Sequence, residues 1–163
     1  MSLIVRRAVL EDARTIADYA QKLVAQHQEY NPKRFSQIAT EEQMANFYGN
    51  QVKAQDATVL VAELEGKIVG FAFVKFEIKN YADLLEYAAW LHDIYIDETA
   101  RNHNAGKLLT EAAVEAAKEF GAEKLMLMTA SQNEYAREFF ERNGFRKTMV
   151  EMMLDLTEEK GND

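Results

Sequence analysis

The chain has 163 residues, 48% of them apolar, with one proline and no cysteine. That length can bury a substantial core but is short for two domains, so a single domain over residues 1–163 is expected, ending in a polar tail from about 157 to 163. The 19 basic and 27 acidic residues leave a formal charge of −8, which argues against a nucleic-acid backbone as partner and mildly favours a cationic ligand. Without cysteine, disulfides, thiolate metal sites and cysteine nucleophiles are excluded, and no metal is expected. No apolar run reaches the roughly 18 residues of a membrane span, and Glu11, Asp12 and Arg14 interrupt the place where a secretory signal would be apolar. No membrane partner is therefore expected, and a cytoplasmic location follows by default.

Residues 3–9 read as a first strand, and Glu11-Asp12 suits the positive first turn of a helix. Ala13, Ile16, Ala17, Ala20, Leu23 and Val24 then recur at helical spacing until Tyr30-Asn31-Pro32, where proline discourages continuation. After a connector over 32–39, Thr40-Glu41-Glu42-Gln43 has the form of a capping box and predicts a second helix to about Ala54. Two β-rich runs, 58–64 and 67–76, flank Glu65-Gly66 and predict an antiparallel hairpin. A strand over about 88–97 follows. Then come a helix over about 105–120 closed by Gly121, a strand over 124–128, a helix over 133–142 ending at Asn143-Gly144, and a last strand over 147–156. The order is hairpin-rich in its first half and β–α–β in its second, which gives an α+β or mixed α/β fold.

The most informative segment is Ile94-Tyr95-Ile96 followed by Asp97 to Leu109, where a strand ends, the chain turns and an amphipathic helix begins. The first amides of a helix have no intrahelical partner and the macrodipole is positive there, so such a start can hold a pyrophosphate through backbone N–H groups. Asn102, Asn104 and Gly106 tolerate the backbone conformations a close approach needs, and Arg101 and Lys107 add charge. By these properties alone, asparagine and glycine serve equally well as plain helix caps.

The segment Arg101-x-x-Asn104-x-Gly106, preceded by Ile94-Tyr95-Ile96, resembles the acetyl-CoA-binding motif of the GNAT superfamily of N-acetyltransferases. Asn133-x-x-Ala136-x-x-Phe139-Phe140-x-x-x-Gly144-Phe145 resembles a second motif of that family. Val5-Arg6-x-Ala8 with Glu11-Asp12-Ala13, and the Val59 to Gly70 hairpin, resemble its opening and its second and third strands. The resemblance covers nearly the whole chain and is weakest over about 25–55. It implies a mostly antiparallel mixed sheet that splays after the central strand, flanked by helices, with acetyl-CoA as co-substrate. It also implies that backbone groups of Ile94, Tyr95 and Ile96 pair with pantetheine, and that Arg101, Asn102, His103, Asn104, Ala105, Gly106 and Lys107 form the phosphate cradle. Asn133, Ala136 and Phe140 would lie near the thioester end, and a homodimer is the family expectation.

Acetyl transfer to an amine requires a neutral nitrogen, hence a base, and His92 on the central strand suits that role by its chemistry. Strand alternation puts it on one face with Trp90 and Ile94 and puts Asp93 opposite unless a bulge intervenes. A strand histidine with a structural hydrogen bond is the competing account of His92. His27, near the end of the first helix, reads as a capping cation. Family members often carry a tyrosine where this chain has Phe140, so the proton for the leaving thiolate would come from water, Tyr95 or Tyr135, or the thiolate would leave unprotonated. Glu29, Tyr30, Phe35, Tyr81, Trp90 and Glu151 are the candidate acceptor residues, since carboxylates with aromatics suit a cationic amine. The acceptor expected is a small-molecule amine, polyamine, amino sugar or peptide amine. Phe140 and the two asparagines of the loop favour a competing reading, a non-catalytic acyl-CoA-binding module. No Walker sequence occurs, which sets a P-loop protein aside.

Overall fold

A computed structural model describes residues 2–157; most of the polar tail expected at 157–163 lies outside the described residues. Strand β1 (Leu3–Arg7) leads through a 3-10 turn (Leu10–Asp12) into α1 (Ala13–Tyr30) and then α2 (Glu41–Lys53). Strands β2 (Ala57–Leu64), β3 (Lys67–Asn80) and β4 (Leu85–Ile96) follow, then a 3-10 segment (Glu98–His103), α3 (Ala105–Glu119), β5 (Lys124–Met126) and α4 (Glu134–Arg142). The five strands form one sheet in chain order, β1 to β4 antiparallel and β5 parallel to β4. This is the α+β architecture expected, a mixed and mostly antiparallel sheet flanked by helices.

Local chemistry explains the boundaries. The Thr40 hydroxyl accepts from the Gln43 amide at 3.2 Å while the Gln43 side chain accepts from the Thr40 amide at 2.9 Å, the reciprocal pattern of a capping box. Glu65 and Gly66 both have positive φ, as the two-residue turn of a tight hairpin requires. The first strand stops at Arg7, two residues earlier than expected, because Asp12 folds back: its carboxylate accepts from the Val9 amide at 2.8 Å and from Arg6. Alternation along the strands divides the core. Leu60, Ala62, Ala72, Val74, Ala89 and Leu91 pack against α3 and Phe140, whereas Val59, Val61, Phe71 and Phe73 pack against α1 and α2.

Two departures from the sequence reading matter for function. The helix preceding α3 is a 3-10 turn rather than an open loop, capped by Asp97, whose carboxylate accepts from the Thr99 amide and hydroxyl at 3.0 and 2.6 Å. More consequentially, the last strand expected over 147–156 does not join the sheet. Among the described residues, none of 146–157 shares a backbone hydrogen bond with a strand, and every one of them is exposed.

Candidate active site

The sheet opens where β4 and β5 part. Parallel pairing runs only from Ala88–Lys124 through Trp90–Met126, and β4 then continues to Ile96 with its β5-side edge unpaired. At the same place β4 carries a bulge: Asp93 stands opposite Phe73 and Leu91 opposite Val74, so His92 is the additional residue. The bulge corrects the facing expected from simple alternation. His92 stacks on Trp90 and Phe73, at centroid distances of 6.1 and 5.6 Å, on the α1/α2 side. Ile94 packs toward the α3 core instead, and Asp93 joins the side of His92 rather than the opposite one.

Asp93 accepts a hydrogen bond from the Tyr48 hydroxyl of α2 at 2.9 Å. Burial pushes the Asp93 carboxyl above the usual carboxylate range, and the Tyr48 hydrogen bond and the nearby His92 and His27 only partly offset this. Burial and the Asp93 charge push the Tyr48 phenol up as well, so it stays protonated and donates. Nothing local in the sequence foretold this pair, because its members lie 45 positions apart. His27 does sit in the last turn of α1, where its Nδ1 contacts the Leu23 carbonyl at 2.8 Å and its ring packs on Phe35 and Tyr30.

Beside this group the surface is indented. A cavity of about 660 Å³ between α1, the connector and α2 is lined by apolar Val24, Ile38, Ala39, Met44 and Phe47 together with Gln37 and Gln43. Phe47 packs edge-on against Phe73, the ring that stacks on His92, so the cavity and the imidazole are joined through aromatic contact. Of the expected acceptor residues, Trp90 is buried beside His92 with its Nε1 lacking a hydrogen-bond partner among the described residues. Tyr30 packs on His27, Glu29 is exposed on α1, and Glu151 forms a two-point ion pair with Arg34 on the connector. Tyr81 lies apart, exposed at the far end of the β3–β4 hairpin.

Where the 3-10 segment meets α3, Asn104 adopts the left-handed conformation at the N-cap position, without a side-chain capping hydrogen bond. Arg101, Asn102, His103 and Lys107 are exposed around that helix start, and Ala105 is fully buried. Arg101 has Glu98 at 3.7 Å and Lys107 has Glu111 at 3.8 Å. Gly106 faces Ile96 and Phe139, and a Cβ placed there would meet them only at 3.6–3.9 Å. Asn133 caps α4 by accepting from the Ala136 amide at 3.1 Å. Phe140 is buried between Phe139 and Phe145, Tyr135 is exposed on the first turn of α4, and Tyr95 stacks on Tyr19 at 5.4 Å, toward α1.

Known proteins share this layout. A protein from Bacillus halodurans, BH1408, has a structure with TM-score 0.81 at 23% identity, matched over 94% of this chain and 99% of that one. The structure of AAC(6')-Iy in complex with a CoA-S-monomethyl-acetylneamine bisubstrate analog gives TM-score 0.73 at 14% identity, over 96% and 99%. These likenesses are of fold. An uncharacterized N-acetyltransferase of Methanocaldococcus jannaschii is 30% identical over 99 residues, 61% of this chain and 43% of that protein, so the chain spans less than half the length of this curated relative. Residues 20–145 match the model of the acetyltransferase (GNAT) family, most of the chain, and with the splayed sheet this shows that the chain belongs to that family.

Proposed function

We propose that the protein is an acetyl-CoA-dependent N-acetyltransferase that acetylates an amine by direct attack in a ternary complex. The observation that carries the proposal is the unpaired β4 edge beyond Trp90, which opens beside the first turn of α3. An unpaired strand edge offers donors and acceptors to an extended amide chain such as pantetheine, and the α3 start offers free amides to a pyrophosphate. Gly106 supports the fit. Its φ is not left-handed and its Cβ would make only ordinary contacts, so nothing in the chain itself demands a glycine there. A ligand crossing that turn would. Arg101, Asn102, His103, Asn104, Ala105 and Lys107 complete the cradle, while Ala136 and Asn133 border it from α4.

Acetyl-CoA, when bound, supplies an activated acyl carbon on a thiolate leaving group. The protein must neutralise the acceptor. The Asp93 carboxyl, held by Tyr48 and opposite Phe73, draws a cationic amine to the bulge, and His92, stacked on Trp90 and Phe73, takes its proton. The nitrogen–carbon bond then forms, the carbon–sulfur bond breaks, and the second proton of the attacking nitrogen goes through water to the departing thiolate. Phe140 has no proton to give, and an ordinary thiol pKa of about 8.5 lets the thiolate depart to water without a dedicated acid. The acceptor class is a small-molecule amine, polyamine, amino sugar or peptide amine. Trp90 supports its binding through the face of its indole ring, and Tyr30 and Glu151 stand at the connector.

Thiol release from acetyl-CoA over a panel of amines tests the reading, on the wild type, His92→Ala and Phe140→Tyr. Turnover that falls at least about 100-fold in His92→Ala, with coenzyme affinity retained, is expected. Coenzyme binding without turnover of any amine would instead mark a coenzyme-binding module, and absence of coenzyme binding would defeat both readings.

A further inference from the structure

The indentation of about 660 Å³ between α1, the connector and α2 has a chemistry of its own. Val24, Ile38, Met44 and Phe47 supply its larger apolar walls, Gln37 and Gln43 are neutral, and no charged side chain is among its lining residues. Two of these walls, Ile38 and Phe47, remain 74 and 45% exposed. Apolar surface left uncovered around a concavity of ligand size fits an apolar ligand group. The polar groups are few: the Gln43 side-chain oxygen is already engaged by the Thr40 amide at 2.9 Å.

Two adjacent residues of α2 join this neutral cavity to the charged bulge. Phe47 packs on Phe73, which stacks on His92, while Tyr48 holds the Asp93 carboxyl at 2.9 Å. A ligand whose ammonium meets Asp93 therefore carries the rest of its body toward Phe47. The neighbouring carboxylates do not serve a second ammonium there. Glu151 is held by Arg34, and Asp155 has Lys33 at 3.6 Å. Glu29 stands five residues from Val24, about 140° around α1. A second ammonium entering the cavity would lose hydration without gaining a counterion, whereas every methylene buried there is favourable.

We propose that the acceptor is a monoamine with an apolar body, aliphatic or aryl-bearing, whose ammonium meets Asp93 while its body fills the Val24–Ile38–Met44–Phe47 cavity, and that polycationic amines are selected against. The proposal rests on the acetyltransferase reading and narrows its acceptor to one class. Values of kcat/KM for propylamine, butylamine and pentylamine are expected to rise at least about threefold per methylene. 1,4-Diaminobutane places an ammonium where pentylamine has its terminal methyl, and its kcat/KM is expected at least about 30-fold lower than that of pentylamine. Ile38→Glu, at an exposed connector position, is expected to shrink that ratio at least about tenfold, with thermal melting as the folding control. A flat chain-length series, or a diamine used as well as pentylamine, overturns the proposal.

A second measurement needs no turnover. The chain has seven methionines, and Met44 is the one among the cavity's lining residues. With 13C-methyl methionine, the Met44 signal, assigned by its loss in Met44→Leu, is expected to shift saturably with 2-phenylethylamine through the ring current of the bound aryl group. The largely exposed Met149 and Met152 serve as references, and 1,4-diaminobutane is expected to leave the Met44 signal in place. A Met44 signal that ignores 2-phenylethylamine, or moves equally with the diamine, overturns the assignment. Failure to acetylate any amine while Met44 responds would overturn the transferase reading and leave the ligand class of the cavity standing. Brisk acetylation of polyamines with Met44 unmoved would do the opposite.

Discussion

Two aspartates illustrate how the same side chain is tuned in opposite directions. Burial would raise Asp12, but the Arg6 guanidinium at 2.7 Å and the Val9 amide at 2.8 Å outweigh it and hold the carboxyl below its ordinary 3.8. A depressed native pKa contributes stability that is complete above the unfolded value and is lost as pH falls through the folded one. Asp12→Asn is therefore expected to cost about 1–3 kcal/mol at pH 7, with the deficit narrowing only below 3.8; urea midpoints across pH measure it. Asp93 has the contrary sign. Its carboxyl is raised by burial, so its proton-linked stability is complete below 3.8 and declines as pH rises through the folded value. Asp93→Asn keeps an acceptor for Tyr48 and sheds the buried charge. It is expected to unfold at a higher urea midpoint than the wild type at pH 8 and to lose that advantage near pH 3.5, while acetyl transfer falls. An Asp93→Asn protein less stable than the wild type at pH 8 would show that the carboxylate is favourably paired rather than strained.

At the scale of elements, Gly70 shows where backbone proximity decides. It lies opposite Ile96 on the β3–β4 ladder, and a Cβ there would stand 2.6 Å from the Tyr95 carbonyl oxygen and 3.0 Å from Ile96 Cδ1. The obstruction is backbone and cannot rotate away. Gly70→Ala is expected to cost about 1–3 kcal/mol and to lower coenzyme affinity by displacing the edge at Ile96, whereas Thr40→Ala, which removes a cap far from that edge, should cost about 1 kcal/mol and leave affinity alone. Thermal melts and coenzyme titration of both variants separate the two effects. Features fixed by near neighbours were legible in the sequence: the Thr40/Gln43 box, the Glu65-Gly66 turn, the three longer helices and the start of α3. Features fixed by distant partners were not. The His92 bulge depends on how β4 registers against β3, and the Tyr48–Asp93 bond depends on how α2 lies on the sheet. Residues 147–156 have a strand's alternation, but whether such a segment finds a sheet is decided by what stands at the edge of β5, which the segment itself does not encode.

For the whole molecule, the proposed coenzyme site makes stability depend on ligand. The β4–β5 opening joins parts of the fold with different neighbours: β4 is held on one side by the long β3 ladder, whereas β5 has three paired residues and α4 follows it with no strand beyond among the described residues. A ligand spanning Ile94–Ile96, the first turn of α3 and the α4 face would tie the weakly held half to the strongly held one. It binds the native state alone, so at 100 times its Kd it adds about 2.7 kcal/mol. For a domain of 150–250 residues each kcal/mol raises Tm by about 2–4 °C, which predicts a rise of about 5–11 °C with acetyl-CoA. Gly106→Trp should melt near the wild-type temperature without ligand, because the added ring can turn into the opening. It should then show no rise on addition of acetyl-CoA, and Arg101→Ala should show a reduced one. Scanning calorimetry with and without coenzyme decides between this and plain helix capping at Asn102 and Asn104, under which both variants would keep the full rise.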